Sequence, residues 1–67
     1  MLETRYIDIA SQIMERIEKK EWARKLPGIG NLAKKLSADP KTINKAVRFL
    51  EMQNRVRVIP KSGTWIS

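Results

Sequence analysis

The 67-residue sequence predicts a mainly α fold in which three helices are followed by a small β-hairpin. Apolar residues recur at helical spacing in three successive segments, turn residues separate these segments, and the spacing changes to that of β-strands after residue 55. A chain of this length has room for one core, and folding buries only about 60% of the surface that the unfolded form exposes. We therefore expect residues 1–67 to form a single domain.

The first apolar stripe predicts a helix from about residue 4 to residue 20. Its members recur at i, i+4, i+7, i+8 and i+11 and are Tyr6, Ala10, Ile13, Met14 and Ile17. Glu15 and Lys19 form a favourable i,i+4 pair on the polar side. The helix ends before Pro27, because proline lacks a backbone donor and restricts the residue before it. Leu26 is placed to enter a short edge strand.

Two shorter amphipathic segments follow, separated by the turn 37–39. The first predicts a helix of about two turns over residues 29–36, although Gly30 costs roughly 1 kcal/mol there relative to alanine. Asp39 suits the N-cap of the next helix, and Pro40 suits its first position, where no backbone N–H is needed. The third helix is therefore expected over residues 40–52, with an apolar face formed by Ile43, Ala46, Val47 and Leu50.

The remaining residues predict a β-hairpin with strands at about 56–60 and 64–66. Proline, serine and glycine at the junction are typical of a turn. Trp65 and Ile66 are expected to plug the core rather than to stack on bases, because a platform for single strands presents several aromatic rings in one basic groove. Trp22 is likewise expected to serve packing.

Positive charge is concentrated in the last two thirds of the chain. Residues 1–22 hold four basic and five acidic side chains, a net charge of −1, whereas residues 23–67 hold ten basic and two acidic ones, a net charge of +8. Such a distribution is expected where one face meets a polyanion, although a solvated basic surface gives the same totals.

The third helix separates these two interpretations. A recognition helix needs a polar, basic face toward the major groove and an apolar face that anchors it to its own domain. Here the face opposite the apolar one has no acid before Glu51, and it carries Lys41, Asn44, Lys45 and Arg48. Because ordinary surface helices mix both signs of charge, this pattern favours DNA binding. Together with the short helix before it and the hairpin after it, it predicts a three-helix winged helix-turn-helix.

The polar residues of this helix and of the hairpin have distinct expected roles on double-stranded DNA. Lys41, Asn44 and Lys45 should face base edges, and Asn44 is suited to pair with adenine through two hydrogen bonds. Phosphate contacts are expected from other basic and hydroxyl side chains, namely Thr42, Arg48, either Lys34 or Lys35, and the wing residues Lys61 and Ser62.

Several short motifs follow one another along nearly the whole chain. They are Tyr6-Ile7, Glu21-Trp22, Leu26-Pro27, Leu32-Ala33-Lys34-Lys35-Leu36, Asp39-Pro40-Lys41-Thr42-Ile43-Asn44-Lys45-Ala46, Leu50-Glu51 and Gly63-Thr64-Trp65-Ile66. In this order and spacing the sequence resembles the DNA-binding domain of GntR-family bacterial transcription regulators. The resemblance implies three helices with a wing, bound as a homodimer to a palindromic site.

By position, the resemblance also implies the contacting residues. It implies base or phosphate contacts from Lys41, Thr42, Asn44, Lys45 and Arg48, and phosphate or minor-groove contacts near Lys61, Ser62 and Gly63. The chain departs from the family pattern in helix two, where Gly28 replaces a capping serine and Gly30 replaces a frequent DNA-contacting arginine. The family's effector-binding domain has no counterpart in these residues, as expected of an excised domain or of a small stand-alone regulator.

Other function classes lack the residues that they need. The chain has no histidine and no cysteine, so the usual zinc sites and nucleophile–base pairs are not expected. We therefore expect no enzyme, no catalytic residue, no metal site and no cofactor. No apolar run approaches the ~20 residues of a membrane span, and the N-terminus lacks the layout of a signal peptide. A cytoplasmic protein without a membrane partner is expected.

Two alternatives to a sequence-specific regulator remain open at the level of sequence. One is a protein-interaction module that keeps the winged fold without DNA binding, with the acidic first helix as its docking surface. The other is an architectural, excisionase-like protein of a mobile element, which bends DNA. Binding to random duplex at low salt separates the first alternative from DNA binding, and measured bending by one bound copy supports the second.

Overall fold

The structure is a computed structural model that describes residues 5–67, and it confirms the predicted fold class. The elements are α1 Arg5–Glu18, α2 Ile29–Lys35, α3 Pro40–Met52, β1 Val56–Ile59 and β2 Gly63–Ile66. The predicted start of the first helix at residue 4 lies outside the described residues. The other predicted boundaries differ from these by two residues or fewer, which is the usual uncertainty of a helix or strand end.

The core is built around α3, which packs against α1, α2 and β1. Ile43, Ala46 and Leu50 project from its inner face and are at most 1% exposed. Ile13 from α1 and Leu32 from α2 are equally buried and meet this face in one apolar cluster. Burying a side chain of this size stabilises the fold by about 1.5–3 kcal/mol relative to leaving it in water. The position of α3 is therefore fixed by its apolar side.

Each of the three described helices is followed, two positions after its last residue, by a non-glycine residue in the left-handed region of backbone conformation. These residues are Lys20 (φ 59°), Ser37 (φ 52°) and Asn54 (φ 61°). In each case the next residue donates its N–H to the carbonyl five residues earlier, at 3.0 Å for Glu21 to Arg16, 2.9 Å for Ala38 to Ala33 and 2.9 Å for Arg55 to Leu50. This is the Schellman arrangement, which satisfies carbonyls left without partners at a helix end. It ends α1 two residues before the predicted boundary.

The beginnings of α2 and α3 depend on the backbone rather than on capping side chains. Asp39 occupies the predicted N-cap position of α3, and Pro40 occupies the first helical position. The predicted N-cap residue is therefore confirmed, although the Asp39 side chain forms no cap hydrogen bond within residues 5–67. Gly28 precedes α2 in an extended conformation and offers no side chain for capping. Both short helices therefore rely on tertiary packing.

The hairpin gains a third, very short strand from the loop before α2. β1 and β2 pair antiparallel with Val56 opposite Ile66 and Arg57 opposite Trp65. Lys25 forms a bridge to Trp65 on the other side of β2. The Leu26 N–H donates to the Thr64 carbonyl at 2.9 Å, and the Ile66 N–H donates to the Arg24 carbonyl at 2.7 Å. The expected edge strand at Leu26 is thus confirmed, and it ties the wing to the body.

The two residues expected to plug the core from the hairpin lie on opposite faces of it. Ile66 packs against the core beside the buried Val56, as predicted. Trp65 is half-buried on the outer face and is not part of the core cluster of the described residues, so this expectation was wrong. Successive side chains of a strand point to opposite faces, so adjacent residues cannot both point inward. Trp22 packs against the core, as expected.

A charged network joins the end of α1 to α2. Arg16 donates two hydrogen bonds of 3.0 Å to the Glu21 carboxylate. Lys35 Nζ lies 3.3 Å from Glu21 Oε2 and 6.0 Å from the centre of the Trp22 ring. The hydrogen bond from Arg16 lowers the pKa of Glu21, aided by that from Lys35 and opposed by partial desolvation. Separately, the predicted pair of Glu15 and Lys19 is confirmed at 3.3 Å.

Gly30→Ala should stabilise the domain by about 1 kcal/mol, since alanine is the better helix former and restricts the unfolded chain. A Cβ atom at this position meets no heavy atom within 4 Å. Thermal unfolding should then shift upward by roughly 4–8 °C for a domain of this size.

Gly63→Ala is the matched control and should lower the melting temperature. Gly63 has a φ of +117°, and a Cβ there would lie 2.5 Å from Lys25 Cε. Equal melting temperatures for Gly30→Ala and Gly63→Ala would contradict the expectation that alanine is accommodated at position 30 and strained at position 63.

Glu21→Gln should destabilise the domain at neutral pH and much less at acidic pH. The folded state holds the pKa of Glu21 below its ordinary value of 4.5, so this stabilisation is present in full above that pH and is lost as the pH falls below it through the folded-state pKa. Melting curves of both proteins between pH 7 and pH 3 should therefore converge. Glu15→Gln, which removes one charge of the same sign from an exposed pair, is the control. Identical curves for the two variants at every pH would show that the network contributes nothing beyond its charge.

Candidate nucleic-acid interface

The outer face of α3 presents the four residues predicted from the helical spacing. Lys41, Asn44, Lys45 and Arg48 are all exposed, and they lie opposite the face buried by Ile43, Ala46, Val47 and Leu50. We call these four residues the α3 row. An α-helix with a polar outer side of this kind has the dimensions that the major groove admits, and its side chains can donate to base edges or phosphates.

The far end of the α3 row borders the wing. Asn44 and Arg48 line a shallow groove together with Glu51, Met52 and Val58 of β1. Glu51 Oε2 accepts a hydrogen bond of 3.3 Å from the Val58 N–H, which fixes the outer edge of β1 against α3. Met52 is 83% exposed at the rim. The helix and the wing therefore present one continuous surface with mixed polar and apolar character.

Lys45 is the member of the α3 row that leans toward α1. Its Nζ lies 5.6 Å from the centre of the Tyr6 ring. The Tyr6 ring in turn meets Phe49 edge to face, with ring centres 5.7 Å apart and planes at 77°. These contacts give Lys45 a preferred position at the α1 side of the surface, while Arg48 lies on the wing side.

Thr42 stands apart from the other predicted contacts on α3. It is 8% exposed and belongs to the inner face of the helix. A phosphate contact from this residue would use the small exposed part of a largely buried side chain. The contact stays a prediction, while the burial gives Thr42 a packing role that the helical spacing alone did not indicate.

The structure distinguishes Lys34 from Lys35 at the end of α2. Both are exposed. Lys35 is held by Glu21 and lies against Trp22, whereas Lys34 has no ion pair within the described part of the chain. A phosphate would compete with Glu21 for Lys35 but not for Lys34. Of the two alternatives left open by the sequence, Lys34 is therefore the less hindered.

The predicted wing residues form the turn between β1 and β2. Lys61 is exposed, with a φ of 66°. The Ser62 N–H closes the turn on the Ile59 carbonyl at 3.0 Å, and Ser62 Oγ accepts a hydrogen bond of 3.2 Å from the Trp65 indole. Gly63 follows in a backbone conformation that other residues rarely adopt. The turn is thus shaped by its own hydrogen bonds, with Lys61 projecting at its tip.

Sequence reasoning missed two basic residues on the outer face of the wing. Arg57 lies opposite Trp65 in the β-hairpin, and Lys25 lies on the other side of Trp65 with its Nζ 5.5 Å from the ring centre. Strand alternation from the buried Val56 would have placed Arg57 on this face. Lys25 comes from a loop more than thirty residues away, so no local pattern could have brought it here.

Searches for a metal site and for a membrane-spanning helix found neither within residues 5–67. Residues 5–67 contain no group of three histidine, cysteine, aspartate or glutamate side chains placed to hold a metal ion. No helix among them is both long enough and apolar enough to cross a bilayer.

Comparison with known proteins identifies structural relatives. No protein-family model matches the sequence, and no curated protein matches it significantly. GntR of Streptococcus agalactiae matches 92% of this chain with 34% sequence identity and a TM-score of 0.84. The possible transcriptional regulator YydK of Bacillus subtilis matches 98% with 28% identity and a TM-score of 0.85. A GntR-family transcriptional regulator of Listeria monocytogenes matches 97% with 25% identity and a TM-score of 0.86.

The chain spans only part of each of these proteins: 31% of the streptococcal GntR, 29% of YydK and 59% of the Listeria regulator. The resemblance inferred from the sequence motifs is confirmed, and the chain has the winged helix-turn-helix fold of GntR-family transcription regulators.

Proposed function

We propose that this chain binds double-stranded DNA sequence-specifically in transcriptional regulation, with α3 in the major groove and the wing on the backbone or in the minor groove. The observation that carries the proposal is the α3 row, an exposed basic face on a helix whose other face is fully buried. The Listeria relative is a GntR-family transcriptional regulator and YydK is a possible transcriptional regulator, which supports the same function. A cytoplasmic location of the protein is part of this proposal.

Within this proposal the α3 row divides into base-reading and phosphate-binding positions. Asn44 lies in the middle of the row, and its amide offers a donor and an acceptor to the edge of adenine. Lys41 and Lys45 flank it and reach neighbouring base edges, while Arg48 reaches the backbone on the wing side. Lys34, Lys61 and Ser62 add phosphate contacts that fix the register of the domain without reading sequence.

A homodimer on a palindromic site completes the proposal. A single recognition helix reaches few base pairs, and specific helix-turn-helix proteins usually bind two half-sites about one helical turn apart. Binding-site selection from random duplexes tests function and valency together. An enriched half-site or palindrome supports the proposal, and the absence of any enriched sequence despite binding would instead favour an architectural protein. No binding at low salt would favour the protein-interaction alternative.

Asn44→Ala should lower affinity for the selected site by about 1–3 kcal/mol and relax the base preference at one position. The reason is that a pair of hydrogen bonds to one base edge is lost while the phosphate contacts remain. Gln12→Ala, which removes an exposed amide from α1, is the control and should bind as the unaltered chain does. Equal losses on the selected site and on random duplex would rule out base reading by Asn44.

Lys61→Ala should weaken binding to every duplex by a similar factor and make the salt dependence shallower. One phosphate contact contributes about 0.9 to the slope of log K against log salt concentration. Lys19→Ala is the charge-matched control, because Lys19 is paired with Glu15 at the end of α1. Titrations at several salt concentrations measure the slope, and an unchanged slope would remove the wing tip from the contact surface.

A further inference from the structure

The outer face of the wing carries a row of three residues that run across its strands. Lys25, Trp65 and Arg57 are in register, with Trp65 in the central strand paired to Lys25 on one side and to Arg57 on the other. Neighbouring strands lie about 4.8 Å apart, so the two basic residues start roughly 10 Å from each other. We call these three residues the wing row. It is separate from the α3 row and from the turn at the wing tip.

The side chain of Lys25 lies over Gly63 and Trp65 on the outer face of the wing. Its aliphatic stem crosses the backbone of Gly63, where a Cβ atom would lie 2.5 Å from Lys25 Cε. Its Nζ then lies over the Trp65 ring, 5.5 Å from the centre. An ammonium group over an indole face is attracted by the ring quadrupole, which favours this position over extension into water. Glycine at position 63 therefore makes room for the lysine stem.

Trp65 in turn is oriented by the wing turn. Its indole N–H donates to Ser62 Oγ at 3.2 Å. One face of the ring is covered by the Lys25 ammonium group, so that face cannot stack on a base. Trp65 thus orients the Lys25 ammonium group and shields it partly from water. The groups that the wing row offers to a ligand are therefore the two cations, Lys25 and Arg57.

These two cations have no acidic partner in the described part of the chain. The ion pairs of residues 5–67 involve Glu15 and Glu21, which serve Arg16, Lys19 and Lys35. Both Lys25 and Arg57 are exposed. The charge of the wing row is therefore available to an anion, and Lys61 at the wing tip extends the positive potential along the same hairpin.

We propose that the wing row is a second backbone-binding strip, in which Lys25 and Arg57 bind phosphodiester groups of the duplex held by α3. The inference rests on the proposed DNA binding and adds two contacting residues to it. The ligand is the sugar–phosphate backbone, since two cations beside a covered ring offer charge but no groups that discriminate among bases. Ser62, Gly63 and Trp65 are positioning residues for Lys25.

Lys25→Met and Arg57→Met test the proposal on a fluorescein-labelled 20-base-pair duplex. Methionine keeps an apolar stem of similar length over Gly63 and Trp65 while removing the charge. Each variant should make the slope of log K against log salt concentration shallower by about 0.9, and the double variant by about 1.8. Lys25→Arg should retain the original slope, because it keeps the cation. Lys19→Met is the matched control and should also retain it.

Trp65 provides a readout that does not depend on affinity. The chain has two tryptophans, so its amide spectrum contains two indole N–H signals, and Trp22→Phe assigns them. Adding the duplex should move the Trp65 indole signal and leave that of Trp22 in place. In Lys25→Met the movement of the Trp65 signal should be smaller. Melting curves of each variant show that the fold is retained.

The outcomes separate this inference from the proposed function. If the unaltered chain does not bind the duplex at about 20 mM salt, the proposed DNA binding itself fails. If it binds, but Lys25→Met and Arg57→Met show the slope and affinity of Lys19→Met, the wing row is not a backbone-binding strip. A Trp65 signal that stays in place while the amide signals of residues 41–48 move would overturn the inference in the same way.

Discussion

The whole surface depends on the burial of one face of α3. Ile43, Ala46 and Leu50 are inaccessible to solvent and meet side chains of both other helices. This packing fixes the rotation of α3 about its own axis, and in a helix of 3.6 residues per turn that rotation determines which side chains face outward. A rotation of one position would bury a lysine and expose an aliphatic residue, at a cost of several kcal/mol in a domain with little stability to spare. The direction of the α3 row is therefore set by apolar contacts on the other side.

The wing obtains its position from a different source, namely backbone hydrogen bonds. Its inner residues Val56 and Ile66 reach the core, but the tip extends beyond it. The hairpin is held at one edge by the segment around Lys25 and Leu26, and at the other by Glu51, which accepts from the Val58 N–H. Both edges of a short sheet are thus occupied, which also limits pairing with other chains. The loop before α2, the wing and the end of α3 are consequently joined to one another by hydrogen bonds.

Apolar periodicity was sufficient to predict the three helices, because each buries an apolar stripe, and the turn residues between two apolar runs were sufficient to predict the hairpin. The helix ends were harder to predict. The left-handed residues that end the helices are lysine, serine and asparagine, whereas the usual sequence signal is glycine. The orientation and pairing of individual surface side chains could not be predicted either. Trp65 faces outward because Ile66 faces inward, and Lys35 is paired with Glu21. Both depend on contacts between segments that are distant in sequence.

The distribution of chemistry over the surface constrains how specificity can arise. Apart from Asn44, the exposed polar groups of the α3 row, the wing tip and the wing row are chiefly cations, and a cation is attracted to the phosphates of every duplex whatever the sequence. One well-formed contact to a base edge discriminates by about 1–3 kcal/mol, whereas specific binding exceeds non-specific binding by about 4–10 kcal/mol. On the proposed function one domain discriminates through at most three residues, and the two lysines among them are also attracted to the phosphates of every duplex, so one domain does not cover that difference. Two copies on a palindrome double the number of base contacts and hold each other in register, so on the proposed function the two-fold site is a requirement of the specificity itself.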